Sequence, residues 1–188
     1  MMKRIFAVSA VAFLIVFGAY AQNIGTFKDR RDGKVYKIVK IGSQVWMAEN
    51  LNFAAEGSKC YESKNANCAK YGRLYDDVLD ALKACPAGFH LPDDEEWTAL
   101  IDYAGGEKKA GKKLKSTSGW DDKDNSTNEY GFSALPDGGG DIGSWWSATE
   151  GDANSAWVWG MISDVEYVLR DVSSKAGLFS VRCVQDLL

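Results

Sequence analysis

The stretch DGKVYKIVKIGSQVWMAENLN, Asp32 to Asn52, decides the fold class. From Val35 to Ile41 its apolar residues recur in period two, the pattern breaks at Gly42 and Ser43, and it resumes from Gln44 to Met47. Period two sends successive side chains to opposite faces of a strand, and a Gly-Ser break between two such runs has the chemistry of a hairpin turn. Upstream, Thr26 to Asp29 reads as one more strand, joined through a turn at Arg30 to Gly33. This region is therefore expected to be a short antiparallel meander.

Downstream the period changes. Leu74, Val78, Leu79 and Leu82 predict a short helix that stops near Cys85 and Pro86. A second helix has sharper punctuation. Asp93 is its N-cap, Glu96 takes the capping-box position, Trp97, Leu100, Ile101 and Ala104 form an apolar stripe, and Gly105 and Gly106 end it. From there to Gly143 the chain is rich in Gly, Ser, Asp and Asn and reads as long loops anchored by Leu114, Trp120, Tyr130, Phe132 and Leu135. Strands return at Trp145 to Thr149, Ala156 to Ile162, Val165 to Arg170 and Leu178 to Val184. Strands, two short helices, loops and strands again predict a single α+β domain with an antiparallel or mixed sheet.

Met1 to Ala21 has the parts of an export signal: a basic start at Lys3 and Arg4, an apolar run from Ile5 to Gly18, and Ala19, Tyr20, Ala21 as a cleavage triplet. Cleavage after Ala21 is expected. The apolar run is shorter than the roughly 20 residues of a spanning helix, and no second such run follows, so no membrane span is expected after cleavage. The domain is then 22–188, with 22 − 2 = 20 basic and 26 acidic residues. A net charge of about −6 on that count argues against nucleic acid, which calls for basic residues gathered on one face. Lys108, Lys109, Lys112, Lys113 and Lys115 read as a solvated surface.

Four cysteines in an exported chain point to disulfides, with three pairings open on paper. Cys60 and Cys68 flank the polar insert YESKNAN, a tight excursion that a local bridge would close; Cys85 and Cys183 would then join the middle of the chain to its last strand. Zinc is the rival use, but paired CxxC spacings are missing. Other chemistry is weaker still. GEKKAGKK from Gly106 lacks the Ser or Thr of a phosphate loop. Asp122, Asp124, Ser126 and Asn128 alternate like the first half of a calcium loop, without its glycine and glutamate, so calcium is only a weak expectation and no cofactor is required. His90 in CPAGFHLP has no nucleophile motif beside it and reads as structural.

Four of the seven tryptophans, Trp145, Trp146, Trp157 and Trp159, lie within fifteen residues. Alternation puts Trp157, Trp159 and Met161 on one face and splits Trp145 from Trp146, so one ring of that pair is expected to look outward. An indole face suits the C–H face of a sugar, with Asp141, Tyr167 and Arg170 available to bond hydroxyls. Equally, each ring can anchor a small core.

The blocks DGKVYKIVKIGSQVWMAENLN, NCAKYGRLY (Asn67 to Tyr75), CPAGFHLPDDEEW (Cys85 to Trp97), AGKKLKS (Ala110 to Ser116), EYGFSALP (Glu129 to Pro136), WWSATE (Trp145 to Glu150) and FSVRCV (Phe179 to Val184) resemble, in order, the Fibrobacter succinogenes major paralogous domain. The resemblance implies a secreted or cell-surface bacterial protein with a fold similar to the C-type lectin-like and formylglycine-generating-enzyme group. It also implies structural roles for Cys60, Cys68, Cys85 and Cys183, and it carries no active site. The expected function is a non-enzymatic binding module, with polysaccharide as ligand. The alternatives are a structural or protein-interaction module with cell-envelope proteins as partners and, weakest, an oxidase of the formylglycine type, which would need reactive thiols.

Overall fold

The protein is described by a computed structural model that covers residues 24–121, 125–138 and 140–186. The export signal expected at 1–21 lies outside the described residues, as do Asp122 and Asp124.

The expected meander forms with nearly the expected bounds: β1 (Ile24–Lys28), β2 (Val35–Ile41) and β3 (Gln44–Met47) are antiparallel neighbours, with Ile41 opposite Gln44 across the turn. Gly42 has φ +60°, the left-handed value that a tight hairpin turn requires. Further on come β4 (Ser58–Lys59), α1 (Asn65–Tyr71), β5 (Leu74–Tyr75), α2 (Val78–Ala84), β6 (Phe89–His90), α3 (Asp94–Tyr103) and α4 (Glu107–Leu114). The C-terminal strands are β7 (Ile142–Glu150), β8 (Ser155–Ile162), β9 (Val168–Ser174), β10 (Phe179–Ser180) and β11 (Val184–Gln185). They assemble two sheets, ordered β1-β2-β3-β11-β6 and β4-β5-β10-β7-β8-β9, so the domain is α+β.

The capping box of α3 is present in both directions. Glu96 N donates to the Asp93 carboxylate at 2.8 Å, and Asp93 N donates to the Glu96 carboxylate at 3.0 Å. Both expected disulfides are also present, Cys60–Cys68 and Cys85–Cys183, and no free cysteine remains.

Several expectations need correction. The described residues hold four α-helices, not two. YESKNAN is no simple excursion, because α1 begins inside it at Asn65. GEKKAGKK is α4: its Ala110, Gly111 and Leu114 face the core, and a side chain on Gly111 would meet the Glu166 and Tyr167 carbonyls below 3 Å. The first predicted helix begins later than its apolar pattern suggested. Leu74 belongs to β5, so the buried face of α2 is Val78, Ala81 and Ala84, and Leu79 and Leu82 are exposed. The strand expected at Val165 to Arg170 is shifted to β9. That expected at Leu178 to Val184 divides, with β10 in one sheet and β11 in the other. Lys115 is not solvated either: it is fully buried, and its ammonium donates to the carbonyls of Ile162, Ser163 and Val165 at 2.7 to 2.8 Å.

The core lies in two clusters. One gathers Trp46, Trp97, Phe132, Trp145 and Trp159 beneath α3 and α4; the other gathers Met47, Tyr75, Trp146, Val158 and Val181 beneath α2. The chain from 179 to 185 stitches the sheets together, with Met47 N bonded to the Cys183 carbonyl and Leu51 N to the Val181 carbonyl.

Candidate functional site

The structure divides the predicted aromatic platform. Trp145 and Trp146 do point to opposite faces, but both faces of β7 are covered, and both rings are fully buried. The expectation that one looks outward is wrong, because it assumed a sheet with a single core. Trp145 lies tilted against Trp97 and donates to the Asn50 side chain at 2.9 Å, whereas Trp146 meets Phe179 edge-on and donates to the Tyr75 carbonyl at 3.0 Å. Trp159 is buried against Trp97 as well, with ring centroids 6.2 Å apart.

Only Trp157 of the four keeps solvent access, being half-buried. It lies on β8 opposite the exposed Val172 of β9, two positions from Trp159 and on the same face. The Arg170 guanidinium sits over its ring at 3.8 Å and is held by a forked pair of bonds to Asp94, 2.9 and 2.6 Å long. Hydrogen bonding to Asp94 also raises the pKa of Arg170. Asp94 accepts from the Trp159 indole at 3.1 Å, so the start of α3 fixes the guanidinium. The arrangement is a planar cation on an indole face, with part of the ring left open.

The other predicted site residues do not join it. Tyr167 is exposed just before β9, at the opposite end of that strand from Val172. Asp141 is exposed and accepts from the Ser163 hydroxyl at 3.0 Å, near the same far end. Asn128 uses its amide on Ser133, accepting from its backbone N at 2.8 Å and donating to its hydroxyl at 2.9 Å. The carboxylates expected beside it in a calcium loop, Asp122 and Asp124, lie outside the described residues, and no group of three or more potential metal-binding side chains occurs among the described ones. His90 bridges Asp186 at 2.6 Å and Glu96 at 2.8 Å; desolvation opposes its protonation, but these two carboxylates raise its pKa overall.

A polar node lies beneath both sheets. Asn50 accepts from Trp145 and from the Arg182 guanidinium, and donates to the Tyr71 carbonyl at 2.9 Å. Arg182 is fully buried, with further bonds to the Phe132 and Ser133 carbonyls; burial pushes its pKa down to about 9. Nearby, Asp137 keeps some exposure as a residue, but its carboxyl is crowded by protein and burial pushes it up to about 7. It accepts from Ser144 N and from the Ser180 hydroxyl.

Residues 39–185 match the Fibrobacter succinogenes major domain. The chain belongs to that family. No match was found among curated proteins or among solved structures. The family region takes in the whole node, from Asn50 to Arg182, together with both disulfides and α3. Sequence reasoning missed Asn50 and Arg182 as a pair. A signal was available for Arg182, a charged residue between Val181 and Cys183 inside a family block; Asn50, between Glu49 and Leu51, had none beyond its own block.

Proposed function

We propose that this family member is an exported, non-enzymatic binding module whose ligand is carbohydrate, taken at the face of Trp157 and Arg170. The observation that carries the reading is the part-open Trp157 ring, held beside a guanidinium that Asp94 fixes in place. Stacking on an aromatic face together with oriented N–H donors is the chemistry a sugar ring asks for. Two disulfides suit an oxidising compartment, in keeping with export. They also engage all four cysteines, which takes away the reactive thiols that a formylglycine-type oxidase would need.

A glycan array followed by tryptophan-fluorescence titration tests this. Binding to a cell-wall or plant polysaccharide is expected, and Trp157→Ala should abolish it in a protein that remains folded. A blank array, or full binding by the variant, defeats the proposal.

One observation favours a second reading. β9 is the outer strand of its sheet, and it presents Leu169 and Val172 to solvent, an edge that suits pairing with another protein. Capture of an envelope protein that charged substitutions on β9 prevent, with no glycan bound, would favour it.

A further inference from the structure

A second concavity shares no residue with the Trp157 face. It is a cleft of about 410 Å³ between β2, the segment after β3 and the end of α1, within the size range of small-ligand sites. Its lining runs against the charge of the chain. The protein carries a net −4, yet Lys34, Lys37 and Lys70 line the cleft against a single acid, Glu49. Lys34 is already matched by Asp32 at 3.0 Å. Glu49 is engaged with the backbone, accepting from Lys37 N at 2.9 Å. Lys37 and Lys70 have no ion-pair partner among the described residues, and the Lys70 ammonium is steadied over the Tyr71 ring at 4.6 Å. Behind the wall stands Arg182, whose bonds run to Asn50 and to carbonyls, never to a carboxylate. Lys37, Lys70 and Arg182 thus gather around the concavity with only Glu49 to offset them, and Glu49 also acts on Arg182, so a surplus of positive charge remains.

Around that charge are groups suited to hydroxyls. Tyr36 is 4% exposed; its phenol oxygen accepts from Asn52 N, and no acceptor is found for its hydrogen among the described residues. Asn52, Ser116 and Ser133 complete the polar lining. The walls are firm. The Cys60–Cys68 bridge pins α1, and Gly72, at φ +84°, sits so close to Asn50 that a β-carbon would come within 2.7 Å of its side chain.

We propose that this cleft binds an acidic sugar, a pyranose bearing one carboxylate, with Lys37 and Lys70 meeting the carboxylate and the Tyr36, Asn52 and Ser116 groups meeting the hydroxyls. The volume is far too great for a bare ion, and the surplus of one or two cations matches a monoanion better than a phosphate dianion.

The test is calorimetric titration of the protein with oligogalacturonate, with a neutral galacto-oligosaccharide and with inorganic phosphate. The acidic oligomer is expected to bind, with an affinity that falls as salt is added. Lys37→Gln/Lys70→Gln, at two surface positions, should weaken it by about tenfold or more while the melting temperature stays put. Trp157→Ala should leave it unchanged, which separates this site from the one proposed above. Equal binding of the neutral oligomer, tighter binding of phosphate, or full affinity in the double variant would overturn the proposal.

Discussion

Trp145 and Trp157 belong to the same aromatic-rich stretch, on neighbouring strands, and meet opposite fates. Trp145 is fully buried at the seam where both sheets and α3 converge, whereas Trp157 lies half-buried where β8 meets the outer strand β9, under the Arg170 guanidinium. Alternation along a strand settles which face a ring takes. The number of layers packed on that face settles whether the ring is core or surface.

The sharpest way to break the comparison is truncation of each ring. Trp145→Ala removes a buried indole and leaves Asn50 without one of its donors; a loss of about 5 kcal/mol in denaturant unfolding is expected. Trp157→Ala should cost about 1 kcal/mol. Similar costs would show that the rim is as tightly packed as the seam.

The two disulfides extend the contrast. Cys85–Cys183 spans 98 residues and ties α2 to the seam, and Cys60–Cys68 spans 8 at the edge. Loop-closure entropy assigns them about 4 to 5 and about 2.5 kcal/mol. Replacing each pair by serine and comparing melting curves checks that order.

The smallest effect is electrostatic. Because burial raises Asp137 from 3.8 to about 7, the folded protein holds a proton there that the unfolded chain releases. Its contribution is complete below about pH 4 and is lost as pH rises through 7, and Asp137→Asn should flatten that slope in unfolding measured across the range. At the rim, the hydrogen bond from exposed Lys112 lowers the pKa of Glu166, a group expected to contribute little.

The β1 to β3 meander, the capped helix α3 and the Cys60–Cys68 bridge were legible because each has a local cause: alternation, a capping box, a short polar insert between two cysteines; Cys85–Cys183 followed only as the pair left over. α1 and α4 were not. Polar residues dominate both, and what holds α4 is the fit of Gly111 against the Tyr167 carbonyl, more than fifty residues away. Lys115 misled for the same reason, since its three carbonyl partners come from the end of β8 and the turn after it. The candidate site was legible as composition, in Trp157 and Arg170. Its anchor Asp94, one residue after the N-cap of α3, was not.

The stitching of the sheets by residues 179–185 has a consequence in time. β10 lies between β5 and β7, and β11 between β3 and β6, so each sheet is interrupted until this short segment arrives. Every other strand is synthesised earlier, yet neither sheet can close around it. The last strands of the domain thus complete both sheets, and loss of this one segment would leave a gap in each.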